Sequence, residues 1–309
     1  TLTAVDDVNF DASLTAAAAT LNVTNTNGQA TLSNGTVTAS TATFNDEVVH
    51  DADGTVTITA TTVTFEDTLD SDGGDDDFLI VTGNAVFNGN VGTTNALQSL
   101  DISGTTNVNN NSNITTSGNA GSGGQRYTGD VTVNGTTTFN TGNNPIVFSE
   151  DLLGTSGIVT IDAGTSTVAL GNAAADGDLV NVNNLTVNGD TSITLNLLSA
   201  TTVNGQTYND AVTLGTDEAN TTFTTGGALT FASTVDGGQD IVLANSGLAT
   251  FTGAVGGGTA IGDGTDAAIT FNGIGQTLFS STVNTASGVT QAGTAGNITF
   301  TNGVTLQAG

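Results

Sequence analysis

The residues best suited to chemistry are the acids of Asp70-Ser71-Asp72-Gly73-Gly74-Asp75-Asp76-Asp77. Five carboxylates, Asp70, Asp72, Asp75, Asp76 and Asp77, fall within eight positions. Two glycines let the backbone bend around a point. Hard cations such as Ca²⁺ take oxygen ligands from clustered Asp on such loops, and bare carboxylates at this density repel one another. The segment lacks the terminal Glu of an EF-hand loop and the strict glycine spacing of calcium nonapeptides, so a solvated acidic loop is the competing reading. A second cluster, Asp46, Glu47, Asp51 and Asp53, lies about one repeat earlier. If successive turns of chain stack in register, the two clusters meet on one side, with Asp51 and Asp53 joining the metal ligands. Gly262-Asp263-Gly264-Thr265-Asp266 and Asp176-Gly177-Asp178 read as turns.

Other chemistries are poorly supplied. His50 is the single histidine, so a nucleophile–His–acid set has little to draw on. It reads as a surface residue, with metal ligation as the alternative. Arg126 is the sole basic residue and is expected to pair with a nearby carboxylate. No glycine-rich segment ends in Lys-Ser/Thr, so there is no phosphate loop. With 29 acids and a formal charge of −28, the chain offers nothing to a nucleic-acid backbone. Anionic membrane surfaces are disfavoured in the same way, and no apolar run is long enough for membrane insertion. Cys is absent, so disulfides and thiolate metal sites are excluded.

The elements that would position these acids are short strands. Thr55-Val56-Thr57-Ile58-Thr59 and Asp130-Val131-Thr132-Val133-Asn134 alternate at period 2, which sorts apolar from polar side chains onto opposite faces. An aromatic residue followed four positions later by Val or Leu recurs down the chain. Phe10/Leu14, Phe44/Val48, Phe65/Leu69, Phe87/Val91, Tyr127/Val131, Phe148/Leu152, Tyr208/Val212, Phe231/Val235, Phe251/Val255, Phe279/Val283 and Phe300/Val304 are such pairs. Each reads as a strand end, a corner and a new strand. Asn-Gly pairs and a stock of 42 glycines are expected to supply left-handed backbone at the corners.

Phe44, Phe65 and Phe87 repeat every 20 to 22 residues, as do Phe231, Phe251 and Phe271. A super-repeat of roughly 83 residues links Phe65, Phe148 and Phe231, and also Gly-Gln-Arg-Tyr at 124–127 with Gly-Gln-Thr-Tyr at 205–208. Repetition of one unit from end to end predicts an all-β fold, a right-handed parallel β-helix or β-solenoid. With no linker in the sequence, residues 1–309 read as a single elongated domain of roughly 15 coils, a rod on the order of 70 Å at about 4.8 Å per coil. The opening Thr1-Leu2-Thr3-Ala4-Val5-Asp6-Asp7 lacks the form of a signal peptide. The expectation is a mature piece or fragment of a longer repeat protein.

Ala-Val-Phe-Asn-Gly-Asn-Val-Gly-Thr-Thr (85–94), Gly-Gln-Thr-Tyr-Asn-Asp-Ala-Val-Thr-Leu (205–214) and Leu-Thr-Phe-Ala-Ser-Thr-Val-Asp-Gly (229–237) resemble the repeats of giant bacterial surface proteins, the filamentous haemagglutinins and autotransporter passengers. The resemblance spans roughly residues 40 to 309. It implies secretion to the cell exterior and a role in adhesion, matrix or fibre building. The secretion domain of such proteins is not visible here, and the Asp70–Asp77 loop is no part of the usual repeat. The expected function is therefore a non-enzymatic extracellular adhesin stalk or fibre component at the cell surface, calcium-stabilised and self-associating head to tail. The alternatives are an ice- or carbohydrate-binding surface, carried by Thr36-Val37-Thr38, Thr55-Val56-Thr57 and Thr62-Val63-Thr64, and a carbohydrate-active enzyme.

Overall fold

The structure is a computed structural model that describes residues 1–52, 54–74, 77–118, 123–155, 157–171, 177–215, 220–292 and 296–306. Among these residues there is no helix, and the chain is 57% strand, arranged as a parallel β-solenoid of about 14 turns with roughly 21 residues per turn. The chain divides into two compact units, Thr1–Phe148 with Asp162–Gly164, and Ser149–Ile161 with Thr165–Gly309. Even Ala16–Ala19, a run of the residue with the strongest helix propensity, lies inside the strand Leu14–Asn25.

In the first unit each coil presents three short strand runs, and every run pairs in parallel with its counterpart in the next coil. The alternating pattern turns every second side chain inward, and parallel register stacks those side chains into columns. One column is Val37, Ile58, Val81, Ile102, Tyr127 and Phe148. A second is Val23, Phe44, Phe65, Phe87, Val108 and Val133. A third begins Phe10, Leu32, His50 and Ser71. Phe44, Phe65 and Phe87 stack with nearly parallel planes and centroids 5.4 Å apart at both steps. Offset stacking of this kind adds to what burial alone supplies.

The second unit follows the same rule. Its aromatic column is Tyr208, Phe231, Phe251, Phe279 and Phe300, with centroid separations of 5.0, 4.8, 4.7 and 4.9 Å. Phe271 does not take the third place in this series, as its spacing predicts. It pairs with Leu243 in another column, because residues 256–268 are inserted between Val255 and the strand Ile269–Phe271. The insertion pushes the next corner aromatic on to Phe279.

Two further expectations change in detail. The 83-residue recurrence repeats the corner and not the face: Phe65 belongs to the second column of the first unit and Phe148 to the first. Left-handed backbone also explains only some Asn-Gly corners. Gly35 has φ 85°, but Gly89 is absent from the positive-φ glycines, and a Cβ there would lie 2.4 Å from the Asp67 backbone in the coil before. At that corner glycine is needed for close approach between coils.

Polar ladders seal the corners. Asn109 donates to Asn88 Oδ1 at 2.8 Å, Asn134 to Asn109 Oδ1 at 2.7 Å, and Asn88 to Glu66 Oε2 at 2.7 Å. The repeated Gly-Gln-x-Tyr segments have a shared cause. Tyr127 Oη donates to Gln125 Oε1 at 2.9 Å, and Tyr208 Oη to Gln206 Oε1 at 3.1 Å. Each Gln amide in turn donates to backbone carbonyls, those of Ile114 and Asn140 for Gln125 and of Ala200 for Gln206. A buried phenol needs such a partner. Burial raises both tyrosine hydroxyls well above their ordinary value.

Candidate functional site

The acidic segment lies in the first unit, at one corner of two successive coils. His50 pairs with Ser71, and Gly54 with Asp77, so the described residues Asp51 and Asp72, which directly follow the first pair, leave their strands at the same corner of successive coils. Asp53, Asp75 and Asp76 lie outside the described residues.

The remaining acids take different positions. Asp77 points inward, only 2% exposed, on the same strand face as Leu79 and Val81. Asp70 is 4% exposed, and its Oδ1 accepts from Thr94 N at 3.0 Å and Asn95 N at 3.4 Å. It fastens the turn of the next coil. Asp72 is exposed, and its Oδ1 accepts from Gly74 N at 2.7 Å. Asp51 is exposed at the same corner. In the neighbouring cluster, Asp46 Oδ2 accepts from Asn25 N at 2.5 Å, and Glu47 is exposed. Among the described residues, no group of three or more His, Cys, Asp or Glu side chains is arranged to hold a metal ion.

His50 is not a surface residue. It is fully buried because it occupies an inward position in the column begun by Phe10 and Leu32. Its Nδ1 lies 3.1 Å from Asp77 Oδ1, and its Nε2 lies 3.1 Å from the Phe78 carbonyl oxygen. Ser71 Oγ accepts from Gly73 N at 2.9 Å and donates to Asp77 Oδ2. A carbonyl oxygen only accepts, so Nε2 carries a proton. A hydrogen bond at Nδ1 then needs one further proton, carried either by the ring or by the carboxyl. Burial raises the Asp77 carboxyl above its ordinary value, against the lowering effects of the Ser71 hydrogen bond and the His50 charge.

Ser, His and Asp meet here in an order unsuited to nucleophilic catalysis. In a catalytic triad the histidine lies between the hydroxyl and the acid. Here the carboxylate lies between the hydroxyl and the imidazole, and both ring nitrogens are engaged. The arrangement is a satisfied polar plug in an apolar column.

Arg126 is exposed on its strand, with Asp101 and Val147 as its neighbours in register. The expected ion pair is not formed: the one among the described residues is His50–Asp77. Among the threonines, Thr36 and Thr38 align with Thr57 and Thr59, and Thr41 and Thr43 with Thr62 and Thr64. In the following coil Ile80 lies beside Thr57 and Val86 beside Thr64.

A different acid group was missed by spacing alone. Asp240 in the second unit is 7% exposed, and its Oδ1 is buried with no hydrogen-bond partner. Along its strand Ile241, Leu243 and Asn245 point inward, so Asp240 has outward parity. The inserted segment 256–268 covers it. Gly262 N donates to the Gln239 carbonyl at 3.1 Å, and a Cβ built on Gly262 would lie 2.9 Å from Asp240 Oδ1. Burial raises the Asp240 carboxyl, and the charges of Asp263 and Asp266 raise it further, while the Asp263 backbone N–H works in the opposite sense. Asp263 Oδ1 accepts from Thr265 N at 2.8 Å and from Thr265 Oγ1 at 2.7 Å. These bonds make the turn expected from the sequence and hold that exposed carboxyl below its ordinary value.

Comparison of the chain with family models, curated proteins and solved structures finds no match. Among the described residues no helix is long and apolar enough to cross a membrane.

Proposed function

We propose that the chain is a structural, non-enzymatic β-solenoid of the cell exterior, an adhesin stalk or a component of a fibre or matrix. The observation that carries this reading is the parallel stacking within each unit, with backbone bonds running from coil to coil around columns of buried rings. Such stacking has no built-in stop. An unpaired coil offers its donors and acceptors to another strand, so copies join head to tail. The single histidine, engaged at both ring nitrogens, supports a role without acid–base catalysis. The likeness of the repeat motifs to bacterial surface proteins supports an extracellular location. Calcium along the acidic corners would lower the repulsion between coils.

Electron microscopy over a range of protein concentrations tests this. Threads that lengthen with concentration are expected; uniform single particles at every concentration would remove the fibre reading. Release of sugar from a panel of polysaccharides would remove the non-enzymatic one. A second reading, a surface that binds ice or a flat carbohydrate, draws on the aligned threonines of two coils. Its hydroxyl grid is interrupted by Ile80 and Val86 in the next, and the absence of thermal hysteresis would dismiss ice.

A further inference from the structure

We propose that Asp240 and the Gly262–Asp266 loop of the second unit form a calcium site, with Asp240 and Asp263 as its carboxylate ligands. The argument starts from the buried Asp240 Oδ1, which forms no hydrogen bond, the Asp263 backbone N–H being the one donor that acts on this carboxyl. A proton does not remedy this. Placed on Oδ1, it exchanges an acceptor without a donor for a donor without an acceptor; placed on Oδ2, it leaves Oδ1 as it was. Asp263 and Asp266 add negative charge on the same side. Among the described residues no ion pair involves these acids.

A cation resolves every one of these features together. The available donors are all oxygens, which selects a hard ion, and calcium tolerates an irregular shell of six to eight oxygens. Among the described residues no three such side chains are placed to hold an ion by themselves, so the proposed shell takes only two carboxylates from side chains. Loop carbonyls and water would complete the shell. Gly262 at φ 101° and Gly264 at φ 87° give the loop backbone conformations that other residues rarely adopt. Gly262 also leaves the space against Oδ1 that any side chain would fill. The loop is fixed on both sides: Gly262 N bonds to the Gln239 carbonyl, and Ser287 Oγ holds the Asp266 carbonyl and Ala268 N. This site stands independently of the proposed structural role.

The test is calorimetric titration of the full chain with calcium in about 0.15 M KCl, which screens diffuse binding to the other acids. One saturable site is expected in the unmodified chain, weakened at least about tenfold in Asp240→Asn and in the double variant Asp263→Asn/Asp266→Asn. The double variant changes only exposed side chains, so its circular dichroism stays unchanged and it decides the matter if Asp240→Asn fails to fold. No saturable binding, or equal affinity in the double variant because the ion sits elsewhere, such as at residues 70–77, would overturn the proposal.

Discussion

At the residue scale, His50, Ser71 and Asp77 replace apolar packing with a closed polar network inside the first unit. Removing one member leaves the others buried and unmatched, so His50→Ala is expected to cost about 3 kcal/mol in denaturant unfolding. Asp77→Asn keeps the shape and can donate to a bare Nδ1. The two chains should then differ in their response to pH. The Asp77 carboxyl is raised in the fold, so it holds its proton more tightly folded than unfolded. Its contribution is complete below the unfolded value of 3.8 and is lost as pH rises through the higher folded value. The melting temperature of Asp77→Asn relative to the unmodified chain should therefore climb as the pH rises above 3.8. A constant difference would show that Asp77 does not titrate in that window.

At the element scale, stability resides in columns that run across strands. No strand of three residues is stable by itself, but Phe65 touches rings above and below at 5.4 Å. Phe65→Ala should cost about 3 to 5 kcal/mol, because rigid neighbouring coils cannot collapse into the cavity. Gly89→Ala should destabilise by about 1 to 3 kcal/mol for the opposite reason, since its Cβ meets the Asp67 backbone at 2.4 Å. Chemical denaturation of the two variants measures both values, and a neutral Gly89→Ala would place the corner glycine's role elsewhere.

At the scale of the whole molecule, charge dominates. A formal charge of −28 on 309 residues leaves the acids of neighbouring coils repelling one another. Raising sodium chloride from about 0.01 M to about 0.15 M shortens the screening length from about 30 Å to about 8 Å. The melting temperature should rise by about 5 °C over that range. An unchanged melting temperature would mean that the acids lie too far apart, or are too well neutralised, for repulsion to count.

Much of this architecture was legible in the sequence, because alternation and corner chemistry are local. Val48-Val49-His50 carries the period-2 signal that puts His50 inside with Val48, and Asp77 shares parity with Leu79 and Val81. Read strictly, the pattern buries both; a preference for placing polar residues outside hid it. What the sequence by itself determined was the coil: which residues face inward, where the chain bends, and that one turn stacks on the next. Tertiary structure alone decided which side chains became neighbours across coils. That choice depends on the summed lengths of every insertion, so residues 256–268 both displaced Phe271 from its column and closed over Asp240, a residue whose own position in its strand points to water.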